Sequence, residues 1–256
     1  MHFIGIIPAR YASTRFPAKP LAMLGGMTVV ERVYRQVEGT MDYVCVATDD
    51  ERIEQAVKSF GGNVVMTSTA HRSGTDRCWE AFTKVKSEKR EVNSDEMVVV
   101  NIQGDEPFIQ HSQLAAIKAC FDDPTTDIAT LVKPFTEADG WAAVQNPNSP
   151  KVVVNARMEA LYFSRSVIPY IRGAEQGAEW LQRHTFYKHI GLYAYRANVL
   201  REITQLPQSS LELAESLEQL RWLENGYKIK VGVSDVETIG IDTPEDLARA
   251  EAFLNS

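Results

Sequence analysis

Phe3-Ile4-Gly5-Ile6-Ile7-Pro8-Ala9-Arg10-Tyr11-Ala12-Ser13-Thr14-Arg15-Phe16-Pro17-Ala18-Lys19-Pro20 opens the chain and sets its architecture. Phe3–Pro8 is uncharged and of strand length, and reads as a buried strand. It reads as a strand rather than a signal peptide, because no basic segment precedes the apolar run and the basic residues follow it. A cationic loop therefore leaves the end of the first strand. Working outward, Thr28 opens a helix as a capping box with Glu31, and Val29, Val30, Val33 and Val37 give that helix one apolar face. Tyr43–Ala47 is a second strand, ending in Thr48-Asp49-Asp50. The next helix stops at Phe60-Gly61-Gly62, where glycine can take a left-handed cap. Asn63–Thr67 is a short third strand. A helix starting near Ser73 is expected to bury Cys78, Trp79, Phe82 and Val85. Met97–Ile102, uncharged and mostly β-branched, is the clearest central strand and ends in Gln103-Gly104-Asp105-Glu106-Pro107. Strands alternating with helices make this an α/β protein with a mostly parallel sheet.

After Lys133 the pattern loosens. Pro134, Pro147 and Pro150 punctuate it, Lys151–Val154 and Met158–Phe163 look like a hairpin, and residues 169–188 are polar and irregular. His189–Tyr195 is a strand with Gly191, Tyr193 and Tyr195 on one face. Leu213, Leu217 and Leu220 predict one amphipathic helix ending at Gly226. Strands near Lys228–Val233 and Glu237–Ile241 follow, and Thr243-Pro244-Glu245-Asp246 announces a last helix, with Thr243 as N-cap. The expectation is one α/β domain over residues 1–256, with an inserted subregion at about 134–226.

The 256 residues are 44% hydrophobic and 24% charged, an ordinary globular balance. No window approaches the roughly 18–20 uncharged apolar residues that cross a bilayer. Cys45, Cys78 and Cys120 lie far apart in apolar stretches and read as reduced core thiols of a cytoplasmic protein. A net charge of −7 argues against general nucleic-acid binding. That figure hides an asymmetry. The first 30 residues hold Arg10, Arg15 and Lys19 and no acidic residue, so they carry +3 and the other 226 carry −10. A cationic loop on an acidic protein points to a small anionic ligand, although charge alone fits a solvated loop equally well.

In open α/β sheets, ligands bind beyond the carboxyl ends of the strands, where this loop lies. Arginine forks and a mobile lysine suit different oxygens of a polyphosphate. Neither the Walker pattern nor G-x-G-x-x-G is present. Asp105 follows the central strand and Asp242 follows the Thr238–Ile241 run. Two such carboxylates beside a polyphosphate suit Mg²⁺, yet either also fits an ordinary turn. His2 and His111 read as surface residues. His71 precedes Arg72-Ser73-Gly74-Thr75-Asp76-Arg77, whose backbone N–H groups can receive an anion or a base edge, or be capped by Ser73. His189 reads equally as a core histidine.

Taken in order, these segments resemble the 3-deoxy-manno-octulosonate (Kdo) cytidylyltransferases. The likeness runs through Ile7–Lys19-Pro20, Val46–Asp50, Ser73–Arg77, Asn101–Pro107, Leu161–Arg165, His189–Arg196, Leu217–Arg221 and Ile241–Leu247. Ala18 departs from it, since the family often has glycine there. The resemblance implies a Rossmann-like nucleotidyltransferase fold whose inserted subregion binds sugar and forms a homodimer. It implies the reaction CTP + Kdo → CMP-Kdo + pyrophosphate, feeding lipopolysaccharide synthesis in the bacterial cytoplasm, away from membrane and nucleic acid. It implies that Arg10, Ser13, Arg15 and Lys19 hold the triphosphate, while Ala9, Ser73, Gly74, Arg77 and Gln103 contact cytosine and ribose. Asp105 and Asp242 would hold Mg²⁺, with Arg10 and Lys19 counted beside them as catalytic. Gln103, Arg165, His189, Tyr193, Glu218 and Gln219 would line the sugar-acid pocket, Arg165 meeting the carboxylate. The rivals are a cytidylyltransferase for sialic acid or 8-amino-Kdo, and a non-catalytic nucleotide-binding module.

Overall fold

The computed structural model describes residues 1–12, 15–88, 96–236 and 240–254, with no account of the side chains of residues 87 and 88. In chain order come β1 (His2–Ala9), β2 (Met23–Leu24), β3 (Met27–Thr28), α1 (Val29–Val37), β4 (Tyr43–Thr48), α2 (Glu51–Ser59), β5 (Val64–Met66), α3 (Gly74–Glu88), β6 (Met97–Asn101) and α4 (His111–Ala119). There follow β7 (Ile128–Pro134), α5 (Gly140–Gln145), β8 (Lys151–Val154), β9 (Ala160–Ser164), α6 (Ala178–Arg183), β10 (Tyr187–Arg196), α7 (Ala197–Ile203), α8 (Ser210–Glu215), α9 (Gln219–Glu224), β11 (Ile229–Val233) and α10 (Pro244–Leu254). The chain divides into two compact units: Met1–Leu114 with Ala194–Thr204 and Thr238–Ser256, and Ala115–Tyr193 with Gln205–Glu237.

In the first unit the strands lie in the order β6-β1-β4-β5, every pairing parallel. β1 is central, so Ile6 and Ile7 are wholly buried, as are Val46, Ala47, Val99 and Val100 on its neighbours. This is why these strands carry continuous apolar runs rather than alternation. α1 is capped as its sequence indicates, the Glu31 N–H donating to Thr28 Oγ1. A separate apolar cluster joins Leu24, Val29, Ile241 and Ala250, tying the start of α10 to the segment after the first loop.

In the second unit β11 pairs parallel with β7, and β7 adjoins β10. β8 pairs antiparallel with both β9 and β10, so the expected hairpin is present. Four expectations need correcting. Residues 169–188 are not wholly irregular: α6 forms there because Trp180 is buried against Val144 and Phe186, an aromatic cluster that overrides weak local propensity. The single helix expected across Leu213–Leu220 is two. Ser209 and Glu212 form a capping box that starts α8, and Ser216 at φ +51° turns the chain left-handed and ends it, leaving Leu213 exposed. Trp79 is only partly buried. Of the strand expected over Glu237–Ile241, residues 237–239 lie outside the described residues, and Gly240 and Ile241 are not in a strand.

Candidate active site

The first unit gathers its chemistry where β1 and β6 end side by side. Their parallel register pairs Ile6 with Asn101, so Pro8-Ala9-Arg10 and Gln103-Gly104-Asp105 leave the sheet together. The approach is close: a Cβ at Gly104 would lie 2.5 Å from the Pro8 carbonyl oxygen, which leaves room for glycine alone. The Ile241 N–H then donates to the Asp105 carbonyl at 2.8 Å, bringing Asp242 beside Asp105 across most of the chain length.

Lys19 reaches the same point from the cationic loop. That loop folds back when the Ala18 N–H donates to Tyr11 O, with Ala18 in the left-handed region at φ +59°. The Lys19 Nζ sits 2.6 Å from Asp105 Oδ2 and 3.2 Å from Asp242 Oδ1, and Arg15 reaches Asp242 Oδ1 at 3.1 Å. The lysine side chain is only 13% exposed, that of Arg15 65%. These groups open onto a cleft of about 360 Å³ lined by Ala9, Arg10, Arg15, Lys19, Gln103 and Asp105, among others. Arg10 donates to the His71 carbonyl at 2.8 Å; burial, and then the nearby Arg77 guanidinium, lower its pKa from the ordinary arginine value.

The other residues expected at the nucleotide are placed differently. Ser73 caps α3, its Oγ accepting from the Asp76 N–H while Asp76 accepts from the Ser73 N–H. Gly74 begins that helix against Pro8 and Asn101. Arg77 is wholly buried, its guanidinium bonded to Thr67 Oγ1 and to Asp49 at 2.7 Å, and its Nε finds no acceptor among the described residues. Its charge thus reaches the cleft through the interior. Ser13 lies outside the described residues. His71 pairs with Glu80, whose carboxyl is held down at about 2: desolvation would raise it, but Lys84, the Ser68 N–H and His71 outweigh that.

Apart from Gln103, which lines the cleft of the first unit, the sugar-pocket candidates belong to the second unit. His189 Nε2 lies 3.1 Å from Thr130 Oγ1, with Phe163 and Tyr193 rings packed at 5.2 and 5.3 Å. His189 is half-buried, and desolvation pushes its imidazole down to about 3, which keeps it neutral. Tyr193 meets Trp222 edge-on, and burial, reinforced by Glu218, raises its phenol well above the usual range. Glu218 accepts from Arg221 at 2.6 Å, and the buried Gln219 Nε2 has no acceptor among the described residues. Arg165 spends donors on backbone carbonyls: Glu215 at 2.6 Å, Pro147 at 2.9 Å and Ser216 at 3.4 Å.

The sequence pattern of the cytidylyltransferases matches residues 4–229. The chain belongs to this family. A 3-deoxy-manno-octulosonate cytidylyltransferase of Phocaeicola vulgatus is 72% identical over 254 residues, covering 99% of this chain and 98% of the relative. One of Bacteroides thetaiotaomicron is 71% identical, covering 100% and 99%. The structure of a CMP:2-keto-3-deoxy-manno-octonic acid synthetase complexed with CTP superposes with a TM-score of 0.87 at 40% identity, covering 100% of this chain and 99% of that one. The α/β nucleotidyltransferase fold implied by the motifs is therefore present, and this cytidylyltransferase is an enzyme of the Kdo-activating group.

Two supports escaped the sequence reading. Asp49, at the end of β4, holds the buried Arg77. In the second unit, Arg221 lies between Glu218 and Glu212 with its Nε 3.4 Å from Glu212 Oε2. Both residues stood inside motifs, but nothing local marks a charge as buried; only the neighbours supplied by tertiary packing do.

Proposed function

We infer that this cytidylyltransferase transfers CMP from CTP to the anomeric hydroxyl of Kdo, releasing pyrophosphate, and so activates the sugar acid for lipopolysaccharide synthesis. The observation that carries the reading is the convergence of Lys19, Arg15, Asp105 and Asp242 in one ion-paired cluster at the carboxyl edge of the sheet, in a chain so close to named Kdo cytidylyltransferases.

The hydroxyl oxygen attacks the α-phosphorus, the bond from that phosphorus to the pyrophosphate oxygen breaks, and the hydroxyl proton is released. Both reactants are anions, so cations must lie between and around them. Arg10, Arg15 and Lys19 bind the triphosphate and stabilise charge growing on the leaving pyrophosphate. Asp105 and Asp242 fit a magnesium ion: their donors are all oxygen, they converge on one cation, and Mg²⁺ fills its remaining positions from phosphate and water. Bound there, it would supply Lewis-acid charge at the α-phosphate. Ser13 is assigned with Arg10, Arg15 and Lys19 to the triphosphate, and Ala9, Ser73, Gly74, Arg77 and Gln103 to the base and ribose, the buried Arg77 acting through its neighbours. Gln103, Arg165, His189, Tyr193, Glu218 and Gln219 are assigned to the sugar acid. The neutral imidazole at His189 can donate or accept a sugar hydroxyl without bringing a charge.

Residues 134–226 are assigned to sugar binding and to a homodimer, which exposed Leu161, Tyr170 and Leu213 support. A cytoplasmic location is supported by three buried cysteines that form no disulfide and by the need for CTP; no helix among the described residues is long and apolar enough to cross a membrane. The test is pyrophosphate release by purified protein with Mg²⁺ and each nucleotide, with and without Kdo, sialic acid or 8-amino-Kdo. Release with CTP and Kdo is expected. Release only with another acid moves the substrate, and CTP binding with no release in any arm overturns the enzyme.

A further inference from the structure

Lys19 has a role beyond gripping phosphate. Its ammonium sits between Asp105 and Asp242, 2.6 and 3.2 Å from their oxygens, with little exposure of its own, and Arg15 neutralises Asp242 from the open side. These are the carboxylates a divalent cation would need. An ammonium held between them competes with a dication, because it neutralises their charge and repels a second cation a few ångströms away. Lysine is suited to exchange: it is a point charge on a flexible stem with three equivalent donors, so it can change partner without losing hydrogen bonds. Arg15, whose side chain is largely exposed, can move with it.

We propose that Lys19 is the resident counter-ion of the metal site and reserves it, giving up Asp105 and Asp242 only when a nucleotide triphosphate takes the lysine. The metal then enters with the nucleotide, not before it. A site of two bare carboxylates would collect any divalent cation; one closed by Lys19 admits the cation only alongside the phosphates that complete its shell. The proposal rests on the cytidylyltransferase reading for its metal, yet its central claim concerns the protein alone.

The test is Mn²⁺ binding to the nucleotide-free protein, followed by the electron paramagnetic resonance of free Mn²⁺. Lys19→Met is expected to tighten Mn²⁺ by about tenfold or more over the natural protein. Adding Asp105→Asn to that variant should abolish the gain. Arg10→Gln removes a charge lining the same cleft but bonded to the His71 carbonyl, and should change Mn²⁺ affinity much less. Lys19→Gln, checked by circular dichroism, guards against a folding defect in the methionine variant. The proposal is overturned if folded Lys19 variants bind Mn²⁺ no more tightly than the natural protein. It is also overturned if Arg10→Gln gives as large a gain, or if Asp105→Asn leaves the gain intact. Because no CTP or Kdo is present, these outcomes are independent of the turnover assay.

Discussion

Gly104 and Ala18 show how single residues place the charged groups of the cleft. At Gly104 the obstacle is backbone, the Pro8 carbonyl 2.5 Å from where a Cβ would stand. Gly104→Ala should therefore push Asp105 away from Lys19, costing about 1–3 kcal/mol of stability together with most of the turnover; urea denaturation and pyrophosphate release would report the two effects. Ala18 is the reverse case. At φ +59° it pays the left-handed penalty of about 1–2 kcal/mol, part of which glycine would return as extra freedom of the unfolded chain. Ala18→Gly should raise stability by up to about 1 kcal/mol, read as a higher urea midpoint; a lower midpoint would mean that the strain is absent. The motif reading singled out Ala18, since the family often has glycine there, but its backbone angle became visible only in the folded loop.

α9 positions two of the sugar-acid candidates, Glu218 at its N-cap and Gln219 in its first turn. It is a short helix, too short to be stable alone, and is held by Arg221, which donates to Glu218, to the Leu206 carbonyl at 3.0 Å, and faces Glu212. Arg221 is 8% exposed, so its charge is matched by two carboxylates or not at all. Lysine cannot span that fork. Arg221→Lys should raise the KM for the sugar acid several-fold while leaving the KM for CTP unchanged, with a stability loss of about 1–3 kcal/mol. Equal changes in both KM values would show that α9 supports the fold in general and not Glu218 in particular. Apolar periodicity placed helix here but merged α8 and α9, because a serine in the left-handed region carries no strong local signal.

For the whole molecule, pH dependence follows from partly buried titratable groups. The folded His189 pKa of about 3 lies below its ordinary value of 6.5, so the unfolded chain binds the proton first. Stability contributed by the neutral ring is complete above pH 6.5 and falls as pH drops from 6.5 towards 3, at up to about 1.4 kcal/mol per pH unit. Between pH 6.5 and 5 most carboxylates are still ionised, so urea midpoints should fall for the natural protein and stay flat for His189→Gln. Parallel slopes for the two proteins would disprove the buried neutral histidine. Glu80 acts later: held at about 2 against an ordinary 4.5, its contribution is present above 4.5 and is lost as pH falls through about 2.

The alternation of strands and helices from β1 to β6, the cationic loop, both aspartates and the family could be read from residues alone, because apolar runs, caps and ordered motifs are local properties of a chain. Folding had to decide what those charges face. It set Lys19 between two carboxylates that are remote in the chain, buried Arg77 on Asp49, turned Arg165 onto backbone carbonyls and split one expected helix in two. The reason is physical. A charge's partner and its desolvation depend on which distant segments pack against it, and for Lys19 that was settled by the register of β1 against β6 and by one backbone hydrogen bond from Ile241 to Asp105.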